Sequence, residues 1–142
     1  MVLVDTSVWI EVFRKSPRIT LESYLELEEA VTCLPVIQEV LQGFSNQRAF
    51  QIAREAMHAL PVVESPLRGL VYERAIDLYR LARRQGLTVR SSVDCLIAAC
   101  ALQHGLPVMH RDRDFSLLAR VSPLEAIDVG RSPAGFRNPD GR

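Results

Sequence analysis

Residues 92–115, SVDCLIAACALQHGLPVMHRDRDF, change hydrophobic period partway along, and the change sets the architecture. Val93, Leu96, Ile97, Cys100 and Ala101 recur at helical spacing over residues 92–104, and Gly105 supplies the stop. Pro107-Val108-Met109 is then an apolar run too short for a helix, followed at once by His110-Arg111-Asp112-Arg113-Asp114-Phe115. A helix feeding a short buried strand is half of a βαβ unit. Three more short apolar runs, at 2–4, 31–34 and 61–63, lie between segments of helical spacing. Such alternation predicts an α/β fold, a parallel sheet with helices on its faces.

The longest helical pattern follows Ser65-Pro66, an N-cap and first-turn pair. Leu67, Leu70, Val71, Ala75, Leu78, Leu81 and Ala82 form its stripe up to Gly86, and Arg74, Asp77, Arg80, Arg83 and Arg84 its polar face. Less regular helical spacing covers 7–14, 20–28, 36–44, 46–58 and 115–120. From Gly130 the chain turns rich in Gly, Pro, Ser and Arg, which reads as a flexible tail, 130–142, after one domain, 1–129.

With 142 residues, 48% of them hydrophobic, the chain is long enough for one domain with a substantial core. No apolar stretch approaches the ~20 residues that span a bilayer, and the first residues lack the basic start of a secretory signal. A cytoplasmic protein without a membrane segment is expected. Cys33, Cys95 and Cys100 form no CxxC pair, so neither a disulfide framework nor a thiolate zinc site is indicated. The net charge of zero argues against a broad basic surface for nucleic acid. Sixteen of the seventeen basic residues are nonetheless Arg, whose guanidinium suits bidentate phosphate contacts; a GC-biased coding sequence accounts for this equally well.

In open α/β sheets ligands bind beyond the carboxyl ends of the strands, where strand order reverses. Asp5 stands at such an end, Asp112 and Asp114 at another, and Asp94 opens the helix leading to the latter. Carboxylates crowded at one edge repel and raise one another's pKa unless a cation lies between them. The candidate ligands are all oxygens, which favours Mg²⁺ or Mn²⁺ over zinc, and such ions promote phosphodiester hydrolysis. Each acid also has a plainer reading. Asp5 caps a helix from Thr6, Asp94 complements a helix dipole, Asp112 or Asp114 caps a helix near Phe115, and Glu39 points away from the stripe Ile37, Val40, Leu41 and Phe44. His58, His104 and His110 show no ligand or triad spacing, and no nucleophile elbow or phosphate-loop glycine pattern occurs.

LVDTSVWI at 3–10, Glu39, and residues 92–115 with their D-x-L-I-A-A and D-R-D-F segments resemble the PIN-domain proteins, specifically the VapC-type toxins of bacterial toxin–antitoxin pairs. The resemblance runs to about Val129. It implies a three-layer α/β/α sandwich and a Mg²⁺- or Mn²⁺-dependent endoribonuclease. Asp5, Glu39, Asp94 and Asp112 match the family's acidic quartet, Asp114 the additional acid near the metal, and Thr6 the hydroxyl that orders that corner. His110 departs from the pattern, standing where many relatives have a small hydroxyl residue, so a hydroxyl-mediated contact there is in question; a touch on RNA or phosphate is one reading.

These residues suggest Asp5, Asp94, Asp112 and Asp114 as holders of one or two ions, Glu39 as the group positioning water or a second ion, and Arg14, Lys15, Arg90, Arg111 and Arg113 as RNA contacts. The resemblance further implies a VapB-type antitoxin whose C-terminal segment obstructs the cleft, and a homodimer, for which the early apolar helices are candidate interface. Two other classes compete. An Asp-based phosphatase or phosphoacceptor domain lacks support, since Ser7 stands where a D-x-D motif needs its second acid and Lys15 follows no late strand. A non-catalytic interaction protein, with its acids as caps and ion-pair partners, predicts no response to Mn²⁺.

Overall fold

The computed structural model describes residues 1–130, so the expected tail lies outside the described residues except for Gly130. In chain order the elements are β1 Val2–Val4, α1 Thr6–Val12, β2 Ala30–Cys33, α2 Leu34–Gln42, α3 Gln47–His58, β3 Val62–Val63, α4 Gly69–Arg84, α5 Ser92–Gln103, β4 Val108–His110, α6 Arg113–Val121 and β5 Ala126–Asp128. The five strands form one all-parallel sheet in the order β3-β2-β1-β4-β5, and the helices flank it in a PIN-like α/β/α arrangement. The chain first builds outward from β1 through β2 to β3, then returns to place β4 on β1's other side. Strand order therefore reverses between β1 and β4, where Leu3 pairs with Val108 and Val4 with Met109.

β1, β2 and β4 read as continuous apolar runs because both faces of the sheet are covered; Leu3, Val4, Val31, Val108 and Met109 are buried. Asp5 ends β1 and caps α1, accepting the backbone N–H of Ser7 at 2.9 Å. Trp9 is buried; its indole N–H donates to the Val4 carbonyl at 3.1 Å, and its ring stacks on Phe13, which meets Phe44 edge-on. α5 is the buried helix: Ile97, Ala98, Ala99, Cys100 and Ala101 are all inaccessible, and its small side chains admit close neighbours on nearly every side. All three cysteines are free and buried.

Three expectations are corrected. The helix expected at 20–28 is two 3₁₀ turns, Leu21–Ser23 and Leu27–Glu29, because a capping box between Glu26 and Glu29 restarts the chain. α4 begins at Gly69 rather than after Ser65-Pro66, whose peptide is cis, and Arg68 is its N-cap. Of the stripe expected there, Val71, Ala75, Leu78 and Ala82 are buried but Leu70 is exposed. Arg68 also donates to Glu64, a buried carboxylate that contacts His104 at 3.0 Å, which gives His104 a structural role. β5 has no counterpart in the reading of the sequence; at three edge residues, two half-buried and Asp128 exposed, it carries too short a pattern to register.

Candidate metal centre

Five acids from four separate parts of the chain meet beyond β1 and β4. Asp5 arrives at the end of β1, Asp94 in the first turn of α5, Asp112 as N-cap of α6 and Asp114 in its first turn. Glu39 comes from α2. Asp5, Glu39 and Asp94 each offer an oxygen within 4.8 Å of the others, and so do Asp94, Asp112 and Asp114, making Asp94 common to two triads. Asp5, Asp94 and Asp114 are buried, whereas Glu39 and Asp112 are half-buried.

The hydrogen bonds sort the oxygens into held and free. Ser7 donates to Asp5 Oδ2 through both its N–H and its hydroxyl, leaving Oδ1 buried with no hydrogen-bond partner among the described residues. Asp114 Oδ2 receives the backbone N–H groups of Arg90 and Ser91, each at 3.0 Å, while its Oδ1 is unpartnered. Asp94 Oδ2 is likewise unpartnered, and the helix start beneath it is fixed by its own N–H donating to Ser91 Oγ at 3.3 Å. Buried carboxylate oxygens without donors are rare because their desolvation goes uncompensated. Three of them within two acid triads make a donor set suited to a hard divalent cation.

Electrostatics agree. Burial, followed by the Asp5 and Asp112 charges, pushes the Asp94 carboxyl up to about 9, and burial pushes Asp5 up to about 6 even though both Ser7 hydrogen bonds oppose it. An uncompensated cluster thus takes up protons near neutrality, which a bound cation relieves. Thr6 donates to Glu39 Oε1 at 2.9 Å, so the first turn of α1 tethers the acid that its sequence pattern alone assigned to solvent. Capping and clustering coexist: Asp5 and Asp112 each cap a helix with one oxygen.

The His110 reading as a surface contact is corrected. His110 is fully buried, packs on Phe115 with ring centroids 5.4 Å apart, and accepts the Asp112 N–H on Nδ1 at 3.2 Å. It supplies an acceptor at that turn, and burial keeps its pKa low, in the neutral form this bond requires. Among the candidate RNA contacts, Arg111 and Arg14 both pair with Glu11, at 3.3 and 3.4 Å, whereas Lys15, Arg90 and Arg113 are exposed. Sequence reasoning missed Glu11 as their buried partner, and Ser91 as the true N-cap of α5; the S-x-x-D pattern of Ser91 and Asp94 was the available signal. Exposed apolar side chains occur singly early on, at Ile10, Leu34 and Ile52, but Tyr72, Ile76 and Tyr79 of α4 gather with Leu96 of α5 around a groove of about 380 Å³.

The sequence model of the PIN domain matches residues 2–121. The chain is 38% identical over 131 residues to VapC ribonuclease Mb1587 of Mycobacterium bovis and, equally, to ribonuclease VapC11 of Mycobacterium tuberculosis, covering 89% of this chain and 97% of each relative. Among solved structures it is similar to VapBC-5 from M. tuberculosis, a member of the VapBC family of toxin–antitoxin systems, with TM-score 0.69 and 21% identity over 90% of this chain and 98% of that one.

Proposed function

This chain belongs to the PIN domain family, and from that premise we propose that it is the ribonuclease toxin of a VapBC-type pair, an endoribonuclease that hydrolyses RNA phosphodiesters with Mg²⁺ or Mn²⁺ and thereby arrests growth. The observation that carries the reading is the pair of carboxylate triads sharing Asp94, with unpartnered oxygens on Asp5, Asp94 and Asp114, at the point where strand order reverses. Relatives named as ribonucleases at 38% identity support the substrate class.

Asp5, Asp94, Asp112 and Asp114 would hold the ion, with Glu39 on the open side orienting water. When bound, a divalent ion lowers the pKa of a coordinated water and neutralises charge on the phosphodiester. The protein's own part is placement. Ser7 turns Asp5, Thr6 steadies Glu39, His110 fixes the Asp112 turn, and the amides of Arg90 and Ser91 hold Asp114. Arg14, Lys15, Arg90, Arg111 and Arg113 offer phosphate contacts along the rim, the first and fourth being splayed across Glu11. The resemblance to VapC-type toxins implies cleavage that leaves a 3′-hydroxyl and a 5′-phosphate.

A VapB-type antitoxin would close this cleft with a basic side chain, for which the unpartnered carboxylate oxygens are ready acceptors. For a homodimer, the α4–α5 groove is a better candidate face than the early helices, because its exposed apolar groups are contiguous. Among the described residues no helix is long and apolar enough to cross a membrane, which fits action in the cytoplasm. The test is incubation of total cellular RNA with the purified protein, in Mn²⁺ or Mg²⁺ and in chelator, beside Asp5→Asn. Discrete fragments that need metal and vanish in the variant support the reading; absence of cleavage by antitoxin-free protein under every metal condition rejects it.

A further inference from the structure

Beyond the acids themselves, the structure assigns a positioning role to Ser7: its hydroxyl joins the Asp5 carboxylate to the turn between β4 and α6, locking the two halves of the acid cluster into one geometry. The inference rests on the metallonuclease reading and deepens it.

Two hydrogen bonds meet at Ser7 Oγ, at 2.5 Å to Asp5 Oδ2 and at 2.9 Å from the backbone N–H of Arg111. Their direction is fixed by chemistry. The amide can only donate, so Oγ accepts from Arg111, and its single proton is left for the carboxylate. Asp5 Oδ2 is thereby held by two donors from Ser7, the hydroxyl and the N–H at 2.9 Å, which directs the unpartnered Oδ1 away from the helix start. Arg111 immediately precedes Asp112, and Asp112 Oδ1 in turn accepts the Asp114 N–H at 2.9 Å. A displacement of Arg111 therefore bears on Asp112 and Asp114, the two acids of the second triad that follow it in the chain.

The bond spans 104 positions of sequence. β1 and β4 are already adjacent in the sheet, and Asp5 N–H donates to Met109 at 2.9 Å, but that ladder ends before the turn. Beyond it, among the described residues, the hydrogen bond and ion pair that tie the turn to α1 both come from Arg111, through its N–H on Ser7 and its guanidinium on Glu11. Ser7 and Glu11 are four apart and share a helix face, so α1 presents a hydroxyl for the main chain and a carboxylate for the side chain of one residue. Thr6, one step round the helix, serves Glu39 instead. Consecutive hydroxyls thus brace different parts of the cluster.

The experiment compares wild type, Ser7→Ala and Ser7→Thr in the full chain, reading Mn²⁺ affinity by calorimetry, amide exchange of Arg111, and kcat and KM on a defined RNA. Ser7→Ala should weaken Mn²⁺ about 10- to 100-fold, the range for lost outer-shell partners, accelerate exchange at Arg111, and lower kcat while KM stays within about twofold. Ser7→Thr, which keeps the hydroxyl, should restore Mn²⁺ affinity and Arg111 protection. In an Asp5→Asn background, Ser7→Ala should weaken Mn²⁺ much less than in wild type, since the effect runs through Asp5. Wild-type Mn²⁺ affinity in a folded Ser7→Ala protein overturns the role of Ser7 while leaving the nuclease reading intact. If wild type itself binds no Mn²⁺, both fall.

Discussion

Replacing Asp94 by Asn removes the ionisable carboxyl shared by both triads and substitutes a neutral group of nearly the same size. Without metal, the folded protein holds the Asp94 carboxyl protonated up to about pH 9, whereas the unfolded chain releases that proton near 3.8. At about pH 7.5 the gap approaches four units, and at ~1.4 kcal/mol per unit the metal-free fold gives up nearly ~5 kcal/mol to this one site. Asp5 and Asp112 contribute to the same repulsion and relax when it is relieved, so a single substitution should recover less, about 2 kcal/mol or roughly 6 °C in Tm. The sign follows from the raised pKa: stability is fully present below the unfolded value and is lost as pH rises through the folded one. In chelator, wild-type Tm should therefore fall between about pH 5 and pH 9, while that of Asp94→Asn stays flatter and, at pH 7.5, higher. Adding Mn²⁺ should reverse the order, because wild type gains ligand stabilisation that the variant lacks. Thermal unfolding followed by circular dichroism measures all of this. A variant that is less stable than wild type in chelator at pH 7.5, or a gap that does not change with pH, would refute the crowding argument.

Thr6→Val keeps the shape of residue 6 but leaves Glu39 Oε1 without its donor; we expect a loss of about 1 kcal/mol in urea unfolding and a lower kcat. His110→Phe preserves ring packing on Phe115 and deletes the acceptor of the Asp112 N–H, so the apo protein should lose about 1 kcal/mol and bind Mn²⁺ more weakly, whereas a silent substitution would show that the bond does not matter. RNA affinity should fall steeply with salt, roughly 50-fold between about 50 and 200 mM for four phosphate contacts on a single strand; a flat response would remove the arginine rim from the account. Glu11→Gln should weaken Mn²⁺ binding less than Ser7→Ala does, because Glu11 braces the turn without touching Asp5, but should raise KM for RNA, since Arg14 and Arg111 lose the charge that splays them.

The strands β1, β2 and β4 and the helices α4 and α5 were legible because burial on both sheet faces and long helical stripes leave unambiguous periods. What failed is short or edge-bound: β5 is too brief to show a period, a capping box between Glu26 and Glu29 splits the apparent helix into two 3₁₀ turns, and α4 starts at Gly69, past its apparent cap. Asp5, Asp112 and Asp114 could be placed at one sheet edge from strand ends alone. Glu39 could not, because a single acid on the polar face of α2 looks solvated until Thr6 is known to reach it across 33 positions. Ser7 and Glu11 were illegible as partners for the same reason: each bonds to Arg111, and nothing local predicts a contact between the first helix and the turn after the fourth strand.

That long reach has a bearing on how such a protein is made. β1 is the central strand, yet its neighbour β4 and the acids after it are synthesised much later, with 104 positions between Ser7 and Arg111. A nascent polypeptide that has emerged as far as Gln103 carries Asp5, Glu39 and Asp94 but has neither the second triad nor the strand that aligns Asp5. Loop closure over such a separation cannot precede translation of its far end. A ribosome making this ribonuclease is accordingly spared a working copy until β4 and the acids that follow it have been released.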